Sequence, residues 1–134
     1  MVGIGDVERL VGELPGTEET TRYGRRTWAV GGKGYAWERP FSKADLKRYG
    51  DETPPAGEIL AIVVEDLAEK EAVLAARAGD GFFTIPHFNG YAAVLVELEK
   101  VSEPVLREAL LDGWLVHAPA DLAKAHLDGE ATER

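Results

Sequence analysis

The sequence predicts an α+β fold, in which an antiparallel β-sheet carries helices packed on one face. Apart from a short helix over residues 42–49, the predicted elements run in the order helix, β-hairpin, strand, helix, two strands and two helices, so most strands are neighbours along the chain. The strand-like segments are short, and short adjacent strands combined with helices favour this architecture. The chain has 134 residues, which suits one domain with one core. We assign residues 1–127 to that domain and residues 128–134 to a polar tail.

The first predicted element is an amphipathic helix over residues 5–14, where apolar residues recur at helical spacing. Pro15-Gly16 ends it. Further along the chain, Ser42, Asp66 and Ser102 are predicted N-caps, because their side-chain oxygens accept hydrogen bonds from first-turn amides. The remaining predicted elements are helices over residues 42–49, 66–78 and 119–127, a helix after Ser102 that carries Leu106, Leu110 and Trp114, and strands over 58–64, 82–85 and 91–98.

Glycine-rich residues 31–34 predict a β-hairpin turn, because glycine readily supplies the positive φ that tight turns require. A two-residue loop at Gly32-Lys33 places Trp28 opposite Trp37. Such a face either stacks nucleic-acid bases between arginines or forms part of the core, and the sequence leaves both interpretations open. The side chains predicted to share it are Trp28, Val30, Tyr35, Trp37, Arg26 and Arg39.

Charge is distributed unevenly along the chain. The net charge is −9, which opposes non-specific binding to phosphate backbones. Residues 22–48 nevertheless carry eight basic and two acidic side chains, so this segment is +6 and the rest of the chain is −15. The asymmetry indicates either an anion-binding face on an acidic body or a solvated basic hairpin.

The sequence offers no recognisable catalytic apparatus. There is no cysteine, and the three histidines are too scattered for the local ligand pairs common in zinc sites. Ser42 and Ser102, the only serines, are explained as helix caps. The glycines of residues 31–34 precede a strand instead of a helix, so they do not form a phosphate loop. We therefore expect no enzyme activity, no cofactor and no metal. With no signal-peptide pattern and no apolar run near 20 residues, we also expect a cytoplasmic protein without a membrane partner.

Two segments resemble a known family. Residues 13–19 read Glu-Leu-Pro-Gly-Thr-Glu-Glu and resemble its opening LPG-x-E motif. Residues 28–36 read Trp-Ala-Val-Gly-Gly-Lys-Gly-Tyr-Ala and resemble its F-x-V-G-G-K-x-F-A hairpin. The later strands and helices follow in the same order, so nearly the whole chain is similar to the MmcQ/YjbR family. Two segments depart from the pattern: residues 85–90 replace a lysine-containing segment, and residues 42–49 look like added material.

The resemblance implies a fold like that of CyaY and frataxin, and it implies DNA binding, because the family is commonly labelled DNA-binding. It brings no catalytic residues. We therefore predict a non-enzymatic MmcQ/YjbR-like domain that contacts phosphates through its basic segment. The predicted nucleic-acid-binding residues are Arg22, Arg25, Arg26, Lys33, Lys43, Lys47 and Arg48.

Two alternatives remain. The first is a protein-interaction or small-ligand module with an exposed aromatic patch at Phe82, Phe83, Phe88 and Tyr91. The second is frataxin-like cation binding through carboxylates clustered on the helices.

Overall fold

The computed structural model describes residues 2–55 and 57–133. Within them, six strands form one sheet in the order β1-β2-β3-β4-β6-β5, and every neighbouring pair is antiparallel. The predicted α+β class is confirmed. The strands are β1 Glu18–Arg22, β2 Arg25–Val30, β3 Lys33–Glu38, β4 Ile59–Val63, β5 Phe82–Phe83 and β6 Ala93–Glu97. The helices are α1 Ile4–Gly12, α2 Lys43–Tyr49, α3 Leu67–Arg77, α4 Glu103–His117 and α5 Ala120–Glu133.

The main core lies between the sheet and α1, α3, α4 and α5, on what we call the helix face. The predicted stripe of α4 is confirmed, since Leu106, Leu110 and Trp114 are all buried. Gly113 lets α4 lie close to the sheet. A Cβ atom there would come within 2.9 Å of Ile62 Cγ2.

The predicted N-caps are confirmed by hydrogen bonds. Ser42 Oγ accepts from the Asp45 amide at 3.2 Å, and Asp66 Oδ1 accepts from the Glu69 amide at 2.8 Å. Ser102 caps α4 in the same way. These bonds satisfy first-turn amides that have no partner inside the helix. The final helix extends through Glu133, so the described part of the predicted polar tail is helical. Position 134 lies outside the described residues.

The hairpin register differs from the prediction. The turn is centred on Gly31 and Gly32, which have φ of 59° and 78°, so two glycines occupy the positive-φ positions instead of Gly32 and Lys33. Ala29 pairs with Gly34 and Trp28 pairs with Ala36, which leaves Tyr35 as the extra residue of a β-bulge.

The bulge decides which face each hairpin side chain occupies. Trp28, Val30 and Tyr35 are buried in the main core on the helix face. Trp37 packs on the opposite face, so it does not share a face with Trp28, Val30 and Tyr35 as predicted. Arg26 and Arg39 are separated in the same way. Arg26 contacts Glu8 on the helix face, and Arg39 lies over the ring of Phe88 on the other face.

The face opposite the helix face is only partly covered. Over β4 and β6, a small cluster that includes Ala61 and Leu95 lies beneath Ile85 and Phe88. Ile85 and Phe88 therefore cover this half of the sheet. Phe41, which precedes α2, packs on the same cluster. Among the described residues, the half formed by β1, β2 and β3 contributes only Trp37 to this cluster, and we call this half the open face.

Candidate functional site

The open face carries a groove of about 530 Å³. Alternation along antiparallel strands brings Arg22 of β1, Arg25 and Thr27 of β2, and Trp37 of β3 to its floor. Residues that follow β3, together with His87 and Tyr91, complete the walls. The remaining lining residues are Tyr23, Gly34, Arg39, Pro40, Ser42, His87 and Tyr91.

Two aromatic rings form an accessible wall of the groove. The ring centroids of Trp37 and Tyr91 are 6.2 Å apart at an interplanar angle of 36°. Tyr91 is 48% exposed, and Phe88 lies behind it at a centroid distance of 5.6 Å. The wall therefore presents π-surface to the groove while the buried ring of Phe88 supports it.

Lys70 of α3 holds the backbone of this wall. Its buried ammonium donates to the carbonyl oxygens of Phe88 at 2.6 Å and Tyr91 at 2.9 Å. Burial lowers the pKa of the Lys70 amine, because a low-dielectric site disfavours the charged form. Two hydrogen bonds from one donor hold the two carbonyls together, and with them the backbone from which the Tyr91 ring projects.

Arg39 is fixed by Asp45 of α2, at a distance of 3.0 Å between Nη2 and Oδ2. Burial by itself would raise the pKa of Asp45. Hydrogen bonds from Ser42 and from Arg39 outweigh burial, so the pKa of this carboxyl lies below its ordinary value. Because Asp45 neutralises part of its charge, Arg39 is the least available of the three groove arginines.

Arg22 and Arg25 are exposed and make no salt bridge with any side chain that the structure describes. Arg22 crosses the open face and donates from Nη2 to the carbonyl oxygen of Gly32 at 2.9 Å. Gly34 makes room for this side chain, because a Cβ atom there would lie 3.3 Å from Arg22 Nη1 and 2.9 Å from Thr27 Cγ2. Both guanidinium groups therefore keep donors for an anion.

The structure divides the seven predicted binding residues. Arg22 and Arg25 line the groove, and the other five do not. Arg26 lies on the helix face, where Glu19 at 2.8 Å and Glu8 at 3.2 Å neutralise it and Trp28 lies beneath its guanidinium. The other four are exposed on the hairpin turn or on α2, outside the groove lining: Lys33, Lys43, Lys47 and Arg48.

Sequence reasoning did not assign Arg39, His87 and Tyr91 to the basic site. Arg39 lies inside the basic segment, so its charge could have identified it as a candidate binding residue from the sequence. His87 and Tyr91 come from a segment some 50 positions away that only the fold brings to the hairpin. Guanidinium groups bind phosphate oxygens and aromatic faces stack on planar rings, so the groove suits an anion attached to a planar ring.

The predicted aromatic patch is not formed as a continuous surface. Phe82 and Phe88 are buried, Phe83 is half-buried, and only Tyr91 of the four is exposed. Burial of these rings counts against a broad aromatic docking surface. Among the described residues, no group of three histidine or acidic side chains is placed to hold a metal ion.

The motifs behind the family resemblance have structural explanations here. The carbonyl oxygen of Pro15 accepts a hydrogen bond from the buried Trp114 indole at 3.0 Å, which ties the LPG segment to α4. Gly16 has a φ of 72° and lies against Leu122 of α5. The glycine pair of the hairpin makes the turn. Of the described residues in these two segments, only Gly34 lines the groove.

Comparison with known proteins places the chain among uncharacterized mycobacterial proteins. It is 44% identical to one from Mycobacterium bovis over 125 residues, covering 91% of this chain and 93% of the relative. The same values hold for uncharacterized proteins of two Mycobacterium tuberculosis strains. The chain therefore belongs to the same family as these proteins. No family model and no solved structure matches it. No helix within residues 2–55 and 57–133 is long and apolar enough to cross a membrane.

Proposed function

We propose that the chain is a non-enzymatic, cytoplasmic binding domain of the MmcQ/YjbR type that takes nucleotide units of single-stranded DNA in the groove of the open face. The observation that carries the proposal is the meeting of Arg22, Arg25 and Arg39 with Trp37 and Tyr91 around one groove. Phosphates would contact the arginines, and a base would stack on the exposed ring of Tyr91.

The groove favours a single strand over a duplex. In a duplex the bases are stacked on each other, so their faces cannot reach Trp37 or Tyr91. A volume of about 530 Å³ lies within the range of about 300–1,000 Å³ that is typical of small-ligand sites, so the groove takes only a short piece of a strand. We therefore expect a short binding site without strong base preference, since stacking accepts every base.

Salt dependence gives the first test. Each phosphate neutralised on a single strand contributes about −0.7 to the slope of log K against log salt. Two or three arginine contacts therefore predict a loss of affinity of roughly tenfold between about 50 and 200 mM salt. The net charge of −9 adds long-range repulsion that works against binding at low salt.

The decisive experiment is fluorescence anisotropy of a labelled single strand and the matching duplex, with Arg25→Gln compared against Lys47→Gln. Both side chains belong to the basic segment and both are exposed, but only Arg25 lines the groove. We expect Arg25→Gln to weaken single-strand binding severalfold and Lys47→Gln to leave it nearly unchanged. Equal losses in the two variants would show that the segment charge acts without the groove, and the proposed site would be wrong.

Competition with a free nucleoside monophosphate separates a polymer site from a small-ligand site. If the monophosphate displaces the strand at comparable concentrations of nucleotide units, the groove recognises one unit and the domain is a small-ligand module. If only an oligonucleotide competes, the single-strand assignment holds. Absence of single-strand binding at low salt would overturn the proposal.

A further inference from the structure

The helix face holds a second cavity, a cleft of about 810 Å³ between α3 and α4. Its floor is apolar and includes the sheet residues Ile62, Phe82 and Val94. Its walls carry short side chains on both helices, which leave a cleft between the helices although the sheet residues beneath are buried. The alanines that line the walls are Ala72, Ala76 and Ala109.

The rim of this cleft is acidic. Glu65, Glu69, Glu108 and Asp112 line it, and Arg77 is the one basic side chain among the lining residues. Arg77 forms a salt bridge with Glu108 at 3.1 Å. Because four carboxylates face one guanidinium, the mouth of the cleft has a negative potential above an apolar floor.

The carboxylates at the rim repel one another. The pKa of Asp112 is raised by burial and then by the charges of Glu108 and Glu69. A cation at the mouth would relieve this repulsion. The acids are spread around the rim, and no group of three described acidic or histidine side chains is placed to hold a metal ion. The charge distribution therefore fits a larger organic cation better than a metal ion.

We propose that the cleft between α3 and α4 binds an amphipathic organic cation, with its ammonium group beside Glu69 and Asp112 and its apolar body between the two helices. The volume falls within the range of about 300–1,000 Å³ for small-ligand sites, and the combination of an apolar floor with a few charged groups is typical of them. The cleft lies on the helix face, so this site is separate from the groove and does not depend on the function proposed for it.

Three ligands with the same apolar body test the role of charge: octylammonium, octanol and octanoate, each titrated by isothermal calorimetry. We expect octylammonium to bind at least tenfold more tightly than octanoate, with octanol between them. In a Glu69→Gln/Asp112→Asn variant the preference for octylammonium over octanol should largely disappear, because the cationic group loses two carboxylate partners. Glu71→Gln is the control, since Glu71 is exposed on α3 and does not line the cleft.

A second variant, Ala109→Leu, tests the location by filling the cleft. It should weaken binding of both octylammonium and octanol severalfold. If it fails to fold by circular dichroism, the Glu69→Gln/Asp112→Asn variant still decides, because it adds no volume to the core. Equal binding of octylammonium and octanoate would overturn the proposal, as would an unchanged octylammonium preference in the double variant.

Discussion

Lys70 shows how a single residue can link the core to the candidate site. It is only 6% exposed although it is a lysine, and its ammonium donates hydrogen bonds to the carbonyl oxygens of Phe88 and Tyr91. A buried charge of this kind is tolerated only when hydrogen bonds compensate for lost hydration. The residue therefore positions Tyr91 without lining the groove itself.

Replacing Lys70 by Met should lower both stability and single-strand affinity. The variant keeps an apolar stem but loses two hydrogen bonds from a charged donor, and we expect a loss of about 1–3 kcal/mol in the free energy of unfolding. Urea denaturation measures the first effect and anisotropy the second. Lys100→Met, on a lysine whose side chain is 65% exposed, is the matched control and should change neither.

Asp112 gives a prediction about pH. Its folded pKa is raised above the ordinary value of 3.8, so the folded state binds more protons than the unfolded state between these two values. Stability therefore falls as pH rises through that window, so the cost of the charged form is larger at neutral pH than near pH 4. Asp112→Asn should raise the melting temperature at pH 7, with a smaller gain near pH 4. A gain that is larger at pH 4 than at pH 7 would contradict the assignment.

At the scale of elements, the hairpin of β2 and β3 determines the chemistry of the open face. The bulge at Tyr35 puts Tyr35 and Ala36 into the helix-face core and sends Trp37 to the other side. A regular hairpin would keep Tyr35 and Trp37 on one face. The extra residue of the bulge therefore places Tyr35 in the core and Trp37 in the groove.

Gly34→Ala tests this local geometry. The new methyl group would meet Thr27 Cγ2 at 2.9 Å and Arg22 Nη1 at 3.3 Å, so the hairpin must shift and Arg22 must move. We expect lower stability, by about 1–3 kcal/mol, and weaker single-strand binding. The contrasting substitution is Gly5→Ala in α1, where a Cβ meets nothing within 4 Å. It should raise helix stability by up to about 1 kcal/mol. Thermal unfolding measures both effects: the melting temperature should fall for Gly34→Ala and rise for Gly5→Ala.

At the scale of the whole molecule, the sheet separates two surfaces of opposite character. The open face presents arginines and aromatic rings, and the cleft on the helix face presents carboxylates above an apolar floor. The basic segment therefore does not simply balance the acidic remainder of the chain. The sheet keeps the two potentials apart, which allows each surface to attract a ligand of opposite charge.

The excess negative charge predicts a salt effect on stability. A chain with a net charge of −9 repels itself in the compact state, and salt screens this repulsion. Raising sodium chloride from about 10 to 200 mM should therefore raise the melting temperature, while the same change weakens single-strand binding. A melting temperature that falls over this range would mean that attractive pairs such as Arg26 with Glu19 outweigh the net repulsion.

Capping and periodicity predicted the helices well because these signals are local. Ser42, Asp66 and Ser102 bond to amides three residues away, and the apolar stripe of α4 needs only helical spacing. The hairpin register was missed because a bulge depends on how the main core accepts Trp28 and Tyr35 together. Only part of the groove was predicted. Arg22 and Arg25 belong to the basic segment that the charge pattern reveals, whereas Tyr91 is uncharged and lies far along the chain from that segment.

The sequence by itself determined the α+β class, the start of each capped helix, the acidic net charge and the basic segment, because these follow from composition and from interactions within a few residues. The tertiary structure decided which basic residues share a face, which aromatic rings are buried, and where the two cavities lie. These outcomes depend on strand register and on packing between segments distant along the chain, such as Lys70 with Tyr91 and α3 with α4. No local pattern in the chain specifies such contacts.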